Sequence, residues 1–365
     1  MVKWGIIFGV VIAAAGAGLV YLIIAVRRFG FIKKLSEKTK IAPWIVSLII
    51  IAVVLAVCCL AMSVVNGVIV LLHLVLFFLL LGLIMRIIKA VRKKEFKRYW
   101  QGILAVACSV VYLAVGYYLC NNVWQTDYSL TTNKELGSLK IVMFADSHLN
   151  TTFDGDGFAE HIETIKKQNP DIVLLPGDFV DDGTDRKDME IACKALGSID
   201  AKYGVWFCYG NHDPGYSLGR DFSSEDLDAE LEKNGIHILK DQAELVDDKF
   251  YIIGRKDAYD DRLEMSELIK DLDKSKYMIV MDHQPNDYAN EAEADVDLVV
   301  SGHTHGGQLF PATFVGEWVG MNDRTYGYEQ RGSTDFIVTS GISDWEILFK
   351  TGTKSEYTVI TVTQK

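Results

Sequence analysis

Five of the chain's eight histidines stand in short clusters with carboxylates or an amide. In order these are Asp146-Ser-His148, Gly177-Asp178-Phe-Val-Asp181, Gly210-Asn211-His212-Asp213, His283 and Gly302-His303-Thr-His305. Hard carboxylate oxygens mixed with neutral imidazoles suit Mn, Fe or Zn, and the set is large enough to hold two divalent ions. A carboxylate bridging two ions ~3.5–4 Å apart lets the pair clamp a phosphoryl group during in-line attack, with bound water acidified toward neutral pH. A non-ligand imidazole can then protonate the departing oxygen. The chemistry implied is metal-assisted hydrolysis of a phosphate ester.

Each cluster follows a short apolar run, and that fixes what must position it. Leu139–Ala145, Ile172–Leu175, Val205–Tyr209, Tyr277–Met281, Leu298–Val300 and Phe336–Thr339 are β-rich and bounded by Gly, Asp or Pro, so they predict strands. Helical stretches fall between the earlier runs, at Phe158–Gln168, Lys187–Ser198 and Ser224–Lys233, and strands dominate later, through Tyr357–Thr363. The pattern predicts an α/β sandwich with central sheets and outer helices. Ligands of open α/β sheets bind in the crevice at the carboxyl ends of strands, so neighbouring strands would aim every cluster into one crevice.

The first third of the chain is different in kind. Trp4–Val26, Pro43–Val65, Val68–Ile88 and Gly102–Cys120 are each about the ~20 apolar residues that a bilayer requires. Residues 1–127 hold 14 of the 37 Lys and Arg and only 3 of the 48 Asp and Glu, while the rest of the chain is strongly acidic. The bases cluster between spans one and two (Arg27, Arg28, Lys33, Lys34, Lys38, Lys40) and between three and four (Arg86, Lys89, Arg92, Lys93, Lys94, Lys97, Arg98). The Asn66-Gly67 connection carries no charge. The positive-inside rule places both basic loops in the cytoplasm and everything after Cys120 outside. Trp4, Trp44, Trp100 and Trp124 fall near the expected interfaces. His73, deep in a span without a companion carboxylate or base, reads as a neutral imidazole bonded within the bundle. The expected organisation is four transmembrane helices over 1–120, a linker over 121–138 and a catalytic domain over 139–365. An acidic domain of this kind is a poor general nucleic-acid binder.

At this point the ordered clusters resemble the calcineurin-like metallophosphoesterase family, from about Leu139 to the C-terminus. The Gly302-His-Thr-His-Gly-Gly-Gln308 run is most similar to its membrane-associated bacterial phosphohydrolase branch; the four spans lie outside the resemblance. The resemblance implies an α/β/β/α sandwich with a dinuclear site at strand ends. It implies that Asp146, His148 and His305 bind one metal, that Asn211, His283 and His303 bind the other, and that Asp178 bridges them and orients the attacking hydroxide. It further implies that His212 protonates the leaving oxygen with Asp181 holding its ring. Asp213 fits a turn-stabilising role as well as a catalytic one. Where the phosphoprotein phosphatases of this superfamily carry a phosphate-gripping Arg after the position of Asp181, this chain has Asp182, which argues against phosphoprotein substrates.

The remaining candidates are weaker. Arg220, Arg255, Lys256, Arg324 and Arg331 read more readily as solvated surface charges than as phosphate contacts. Trp318, Tyr326 and Tyr328 fit a substrate pocket or core packing equally, and His161 and His237 read as surface or packing residues. The six cysteines make no disulfide framework. Cys193, in a helix, and Cys208, in a strand, are poorly suited to pair. The expected protein is a multi-pass membrane enzyme acting on a phosphoester. Its place beside a bilayer makes a lipid-linked or envelope phosphodiester or pyrophosphate a substrate class to test. The competing reading is a membrane sensor or interaction protein with a degenerate esterase domain. That reading predicts missing ligands, and none is missing.

Overall fold

The computed structural model describes residues 2–37, 39–94, 96, 98–216 and 219–365. Lys38 and Lys97, two of the bases in the expected cytoplasmic loops, lie outside them. The chain divides into two compact units, Met1–Gly116 and Tyr117–Lys365.

The first unit is built from the helices Val2–Val26, Ala42–Ala61 and Val64–Arg92 and most of Trp100–Asn121. Each of these four helices holds a stretch long and apolar enough to cross a membrane. Their shared seam buries Leu22, Ala25, Ile51, Leu71, Phe78 and Ala105. Outward-facing Leu48, Val53, Leu79, Leu83 and Val110 stay exposed, a pattern suited to lipid, where backbone polar groups must be satisfied inside each helix. The His73 Nδ1 lies 2.8 Å from the Ile69 carbonyl, and its ring packs 5.6 Å from that of Tyr112, so the imidazole is held within the bundle as its isolation predicts. One boundary moves. The break between the second and third helices falls at Met62-Ser63, because the Ser63 hydroxyl accepts the Asn66 N–H at 3.1 Å and caps the helix. Asn66-Gly67 is therefore the first turn of a helix and not the loop.

Among its described residues the second unit contains twelve strands: β1 Val123–Thr132, β2 Ser138–Met143, β3 Ile172–Pro176, β4 Val205–Cys208, β5 Ile236–Leu239, β6 Gln242–Val246, β7 Phe250–Gly254, β8 Tyr277–Met281, β9 Leu298–Ser301, β10 Gly327–Arg331, β11 Thr334–Val338 and β12 Ser355–Gln364. They form two six-stranded sheets, ordered β1-β12-β2-β3-β4-β5 and β10-β11-β9-β8-β7-β6. The strands that precede the clusters are parallel neighbours, β2-β3-β4 in one sheet and β8-β9 in the other.

Strand alternation explains the layers. Ile141 and Met143 of β2, with Ile172 and Leu174 of β3, face Ile252, Ile279, Met281 and Val300 across the space between the sheets. The alternate residues Val142, Val173, Leu175 and Phe207 pack under the helices Gly155–Lys166, Arg186–Gly197 and Ser224–Lys233. On the far side Ile253, Val280, Val299, Phe336 and Val338 pack against Met265, Ile269 and Tyr288. The result is the α/β/β/α sandwich expected. The 121–138 stretch is not a linker. Its residues 123–132 are β1, paired in parallel with β12 from Val123 opposite Ser355 to Thr132 opposite Gln364. This edge strand is mostly exposed, so its pairing rests on backbone hydrogen bonds and leaves little hydrophobic signal.

Candidate metal centre

The five loops after β2, β3, β4, β8 and β9 converge. Two groups of ligand atoms, each lying within 4.8 Å of one another, assemble: Asp146, His148 and His305, and Asp178, His283 and His303. These groups match the partners that the resemblance implies for each ion, with Asp178 the expected bridge and Asn211 the remaining expected ligand of the second. Asp146, His148, Asp178, His303 and His305 all have positive φ, between 35° and 67°. Non-glycine residues rarely adopt this region, and such strain gathers at functional sites. The sharp turns swing the side chains off the strand ends into the crevice. Two glycines make room for this. A Cβ on Gly177, at φ 83°, would stand 2.6 Å from the His283 Nδ1 and from Gly210. One on Gly302 would stand 2.7 Å from the Asp146 carboxylate.

The loops are laced together through the ligands themselves. The His303 N–H donates to Asp146 Oδ1 at 2.9 Å, and the His212 N–H donates to Asp178 Oδ1 at 2.8 Å. Asp213 settles its own ambiguity. Its fully buried carboxylate accepts the N–H groups of Gly210, Asp178, Phe179 and Val180 at 2.7–3.1 Å, tying the loop after β3 to the loop after β4.

Outer partners fix the tautomers. His283 Nδ1 lies 2.9 Å from the Pro176 carbonyl. A carbonyl only accepts, so Nδ1 carries the proton and the Nε2 lone pair points into the crevice. His148 Nδ1 meets Asp181 Oδ2 at 3.2 Å with the same consequence. The two Nε2 atoms then face Asp178 Oδ2 at 3.1 and 3.5 Å. Two imidazole nitrogens facing one carboxylate at such distances call for positive charge between them, from a proton or from a metal ion. Asp146 Oδ2, Asn211 Oδ1, and Nε2 of both His148 and His283 are buried with no hydrogen-bond partner. Buried polar atoms are almost always paired, so this concentration of orphans on the expected ligands fits a donor set built for divalent ions.

The electrostatics agree. Burial, with a smaller push from the Asp178 charge, raises the Asp146 pKa to about 6. Burial lowers that of His303 to about 3, so its imidazole is neutral and able to ligate.

One assignment changes and one residue is added. Asp181 does not hold His212; it braces His148, one of the expected ligands, by the contact above. Removing such an outer carboxylate typically weakens metal binding 10–100-fold. Asp181→Asn is therefore expected to raise the Kd for Mn²⁺ by roughly that factor, measured by equilibrium dialysis, with little change in thermal stability. The His212 ring instead lies over His148 at 4.9 Å and between those of Tyr216 and Trp345 at 5.4 and 5.3 Å. Asp344 was not anticipated. It is fully buried, its Oδ1 lies 3.3 Å from His305 Nδ1, and it also accepts from Gln308 Nε2. Burial raises its pKa to about 6, against the pull of Lys350. An isolated acid thirty-nine residues beyond His305 carries no local signature, and only the return of the chain past β11 brings it here.

The remaining candidates resolve. Arg255 is not a solvated charge; it is buried against Asp282, Asp287 and Glu291 at 2.7–3.3 Å. Arg220 donates to the carbonyls of Asp213 and Pro214, and Arg331 pairs with Asp323 and Glu329. Asp182 accepts the Tyr216 N–H at 2.8 Å. His161 packs on Phe153 and His237 stacks on Trp206. Tyr326 and Tyr328 bond to Glu356 and Asp335, whereas Trp318 is exposed. Cys193 and Cys208 are both free and buried.

Comparison with known proteins places this architecture. Residues 139–307 match the calcineurin-like phosphoesterase model. An uncharacterised metallophosphoesterase of Aquifex aeolicus is 32% identical over 197 residues, 52% of this chain and 71% of the relative. One from Campylobacter jejuni is 28% identical over 285 residues, 75% of this chain and 73% of the relative. A transmembrane protein with a metallophosphoesterase domain from Danio rerio is 28% identical over 250 residues, 63% of this chain but only 54% of the relative. The chain belongs to the calcineurin-like metallophosphoesterase family, and it is a hydrolase of phosphoric ester bonds.

Proposed function

We propose that the protein is a membrane-anchored, two-metal phosphoesterase whose catalytic unit faces the outside of the cytoplasmic membrane. The observation that carries the reading is the convergence of seven donor residues from five loops, five of them with a buried donor atom that has no hydrogen-bond partner. Asp146, His148 and His305 would hold one divalent ion, Asn211, His283 and His303 the other, and Asp178 would bridge. Bound ions of this kind acidify water and neutralise phosphoryl charge. Mn, Fe and Zn all suit the donor set.

The chain's own residues supply the rest. Asp178 and Asp213 lock the loop that presents His212, and the half-buried His212 ring reaches the crevice beside His148 without being one of the donors. Burial lowers its pKa, which makes the imidazolium a stronger acid toward a leaving alkoxide. No arginine takes up the phosphate-gripping position, where Asp182 instead anchors Tyr216. The reading therefore favours phosphodiester, phosphomonoester or pyrophosphate bonds outside phosphoproteins, including esters carried by lipids.

Full-length protein in detergent with Mn²⁺ is expected to hydrolyse bis(p-nitrophenyl) phosphate, and absence of turnover under metal-loaded conditions would sink the enzymatic reading. Orientation rests on the two basic loops. A cysteine placed at exposed Asn133 is expected to react with an impermeant maleimide on intact cells. The native cysteines are buried or lie within the apolar helices. Protection of that cysteine would reverse the topology.

A further inference from the structure

We propose that Leu309–Gly320 and Trp345 form a rim that sits in the bilayer interface, so that the site takes its phosphoester from membrane amphiphiles. This rests on the phosphoesterase reading above and names its substrate class.

Directly after the metal-binding turn, the segment runs Leu-Phe-Pro-Ala-Thr-Phe-Val-Gly-Glu-Trp-Val-Gly. Phe310, Phe314 and Trp318 are 55%, 46% and 75% exposed, and Trp345 is 44% exposed. Large aromatics this open to water are costly unless something covers them. The segment's single charge, Glu317, is turned away to accept the Thr325 N–H at 2.6 Å. The 309–320 segment thus sets exposed aromatic rings, with no exposed charge of its own beyond Glu317, on a unit that is otherwise strongly acidic. Anionic leaflets repel acidic surface, while aromatic rings are favoured at headgroup depth. This segment is suited to lie against a membrane.

The segment is also carried rigidly by the metal site. Any Cβ on Gly307 would collide with the Thr313 carbonyl. The Thr304 hydroxyl donates to the Thr325 carbonyl at 2.6 Å, and the Phe310 N–H donates to Thr351 Oγ1 at 3.0 Å. Trp345 lies with its ring 5.3 Å from that of His212.

The tether makes the bilayer the occupant. Tyr117–Asn121, the last turn of the fourth candidate span, belongs to the catalytic unit. The Tyr117 ring packs 6.3 Å from Phe349. The Cys120 carbonyl accepts the Ser355 hydroxyl at 2.6 Å, and Cys120 Sγ lies 3.8 Å from Asp344 Oδ2. A single residue, Asn122, then separates this helix from β1. The chain therefore leaves the apolar helix against the same 344–355 segment that carries Trp345 and binds Gln308 and Phe310. The end of the apolar helix and Trp345 are thus joined to one segment of the catalytic unit.

The test uses full-length protein in phosphatidylglycerol-containing nanodiscs and two aryl phosphodiesters, soluble bis(p-nitrophenyl) phosphate and membrane-borne phosphatidyl-p-nitrophenol. The double variant Phe314→Ser/Trp318→Ser is expected to lose at least about tenfold in kcat/KM on the membrane-borne ester and to stay within about twofold on the soluble one. Equal losses on both, or none on the membrane-borne ester, would overturn the proposal. A second readout needs no turnover. The Trp318 emission, taken as wild type minus Trp318→Phe, is expected to be quenched by brominated lipids. Unquenched emission would assign the face to a protein partner or to water and end the proposal. Wild type that cleaves neither ester would count against the phosphoesterase reading alone, with the quenching still deciding the rim.

Discussion

Replacing Asp178 with Asn is expected to abolish turnover while the fold survives. The carboxylate is buried between His283 Nε2 and His148 Nε2, at 3.1 and 3.5 Å, and it also receives the His212 N–H. Asn keeps the volume and can still accept that N–H, so the loops stay joined. What is lost is the one negative charge that both candidate ion positions share, and the amide brings an N–H₂ group into a ring of imidazole lone pairs. Loss of an outer partner already costs 10–100-fold; loss of a shared inner ligand is expected to cost at least about 10²-fold in kcat on an aryl phosphodiester. Unchanged thermal unfolding would show that the loss is chemical. Turnover within tenfold of wild type would remove Asp178 from the role of bridge.

The largest effect on stability is expected at Asp213. Its carboxylate is fully buried and is the acceptor for four backbone N–H groups on two loops. Asp213→Ala leaves all four donors without a partner in a dry interior. Each orphaned group costs about 1–3 kcal/mol. The losses are not additive, yet a total of about 4 kcal/mol or more is expected. For a unit of this size that is a fall in Tm of roughly 8 °C or more, measured by intrinsic fluorescence in detergent. Asp213→Asn, which keeps an acceptor oxygen, is expected to fall between. A shift under about 2 °C for the Ala variant would mean that the two loops are organised by something else.

These two residues show what the sequence made legible. The candidate ligands were readable because metal chemistry demands particular residue types, and each follows an apolar run that marks a strand end. The layers were readable because Ile141, Met143, Ile172 and Leu174 alternate with Val142, Val173 and Leu175 between two cores. The edge strands β1, β6 and β10 were not, since their side chains are largely exposed and main-chain pairing alone defines them. β7 carries a legible run, Phe-Tyr-Ile-Ile, beside a polar hairpin partner. Outer-shell geometry was the least accessible. The resemblance pairs Asp181 with His212, yet the positive φ of His148 turns that ring toward Asp181 instead. Asp344 reaches His305 only through the tertiary return of the chain, and no spacing along the sequence encodes it.

The most direct test of the central claim is a metal count. Full-length protein loaded with Mn²⁺, desalted and measured by plasma mass spectrometry is expected to retain two ions per chain, and Asp178→Asn fewer than two. A wild-type count of one ion or none after loading, or two ions retained without Asp178, would contradict the two-metal account.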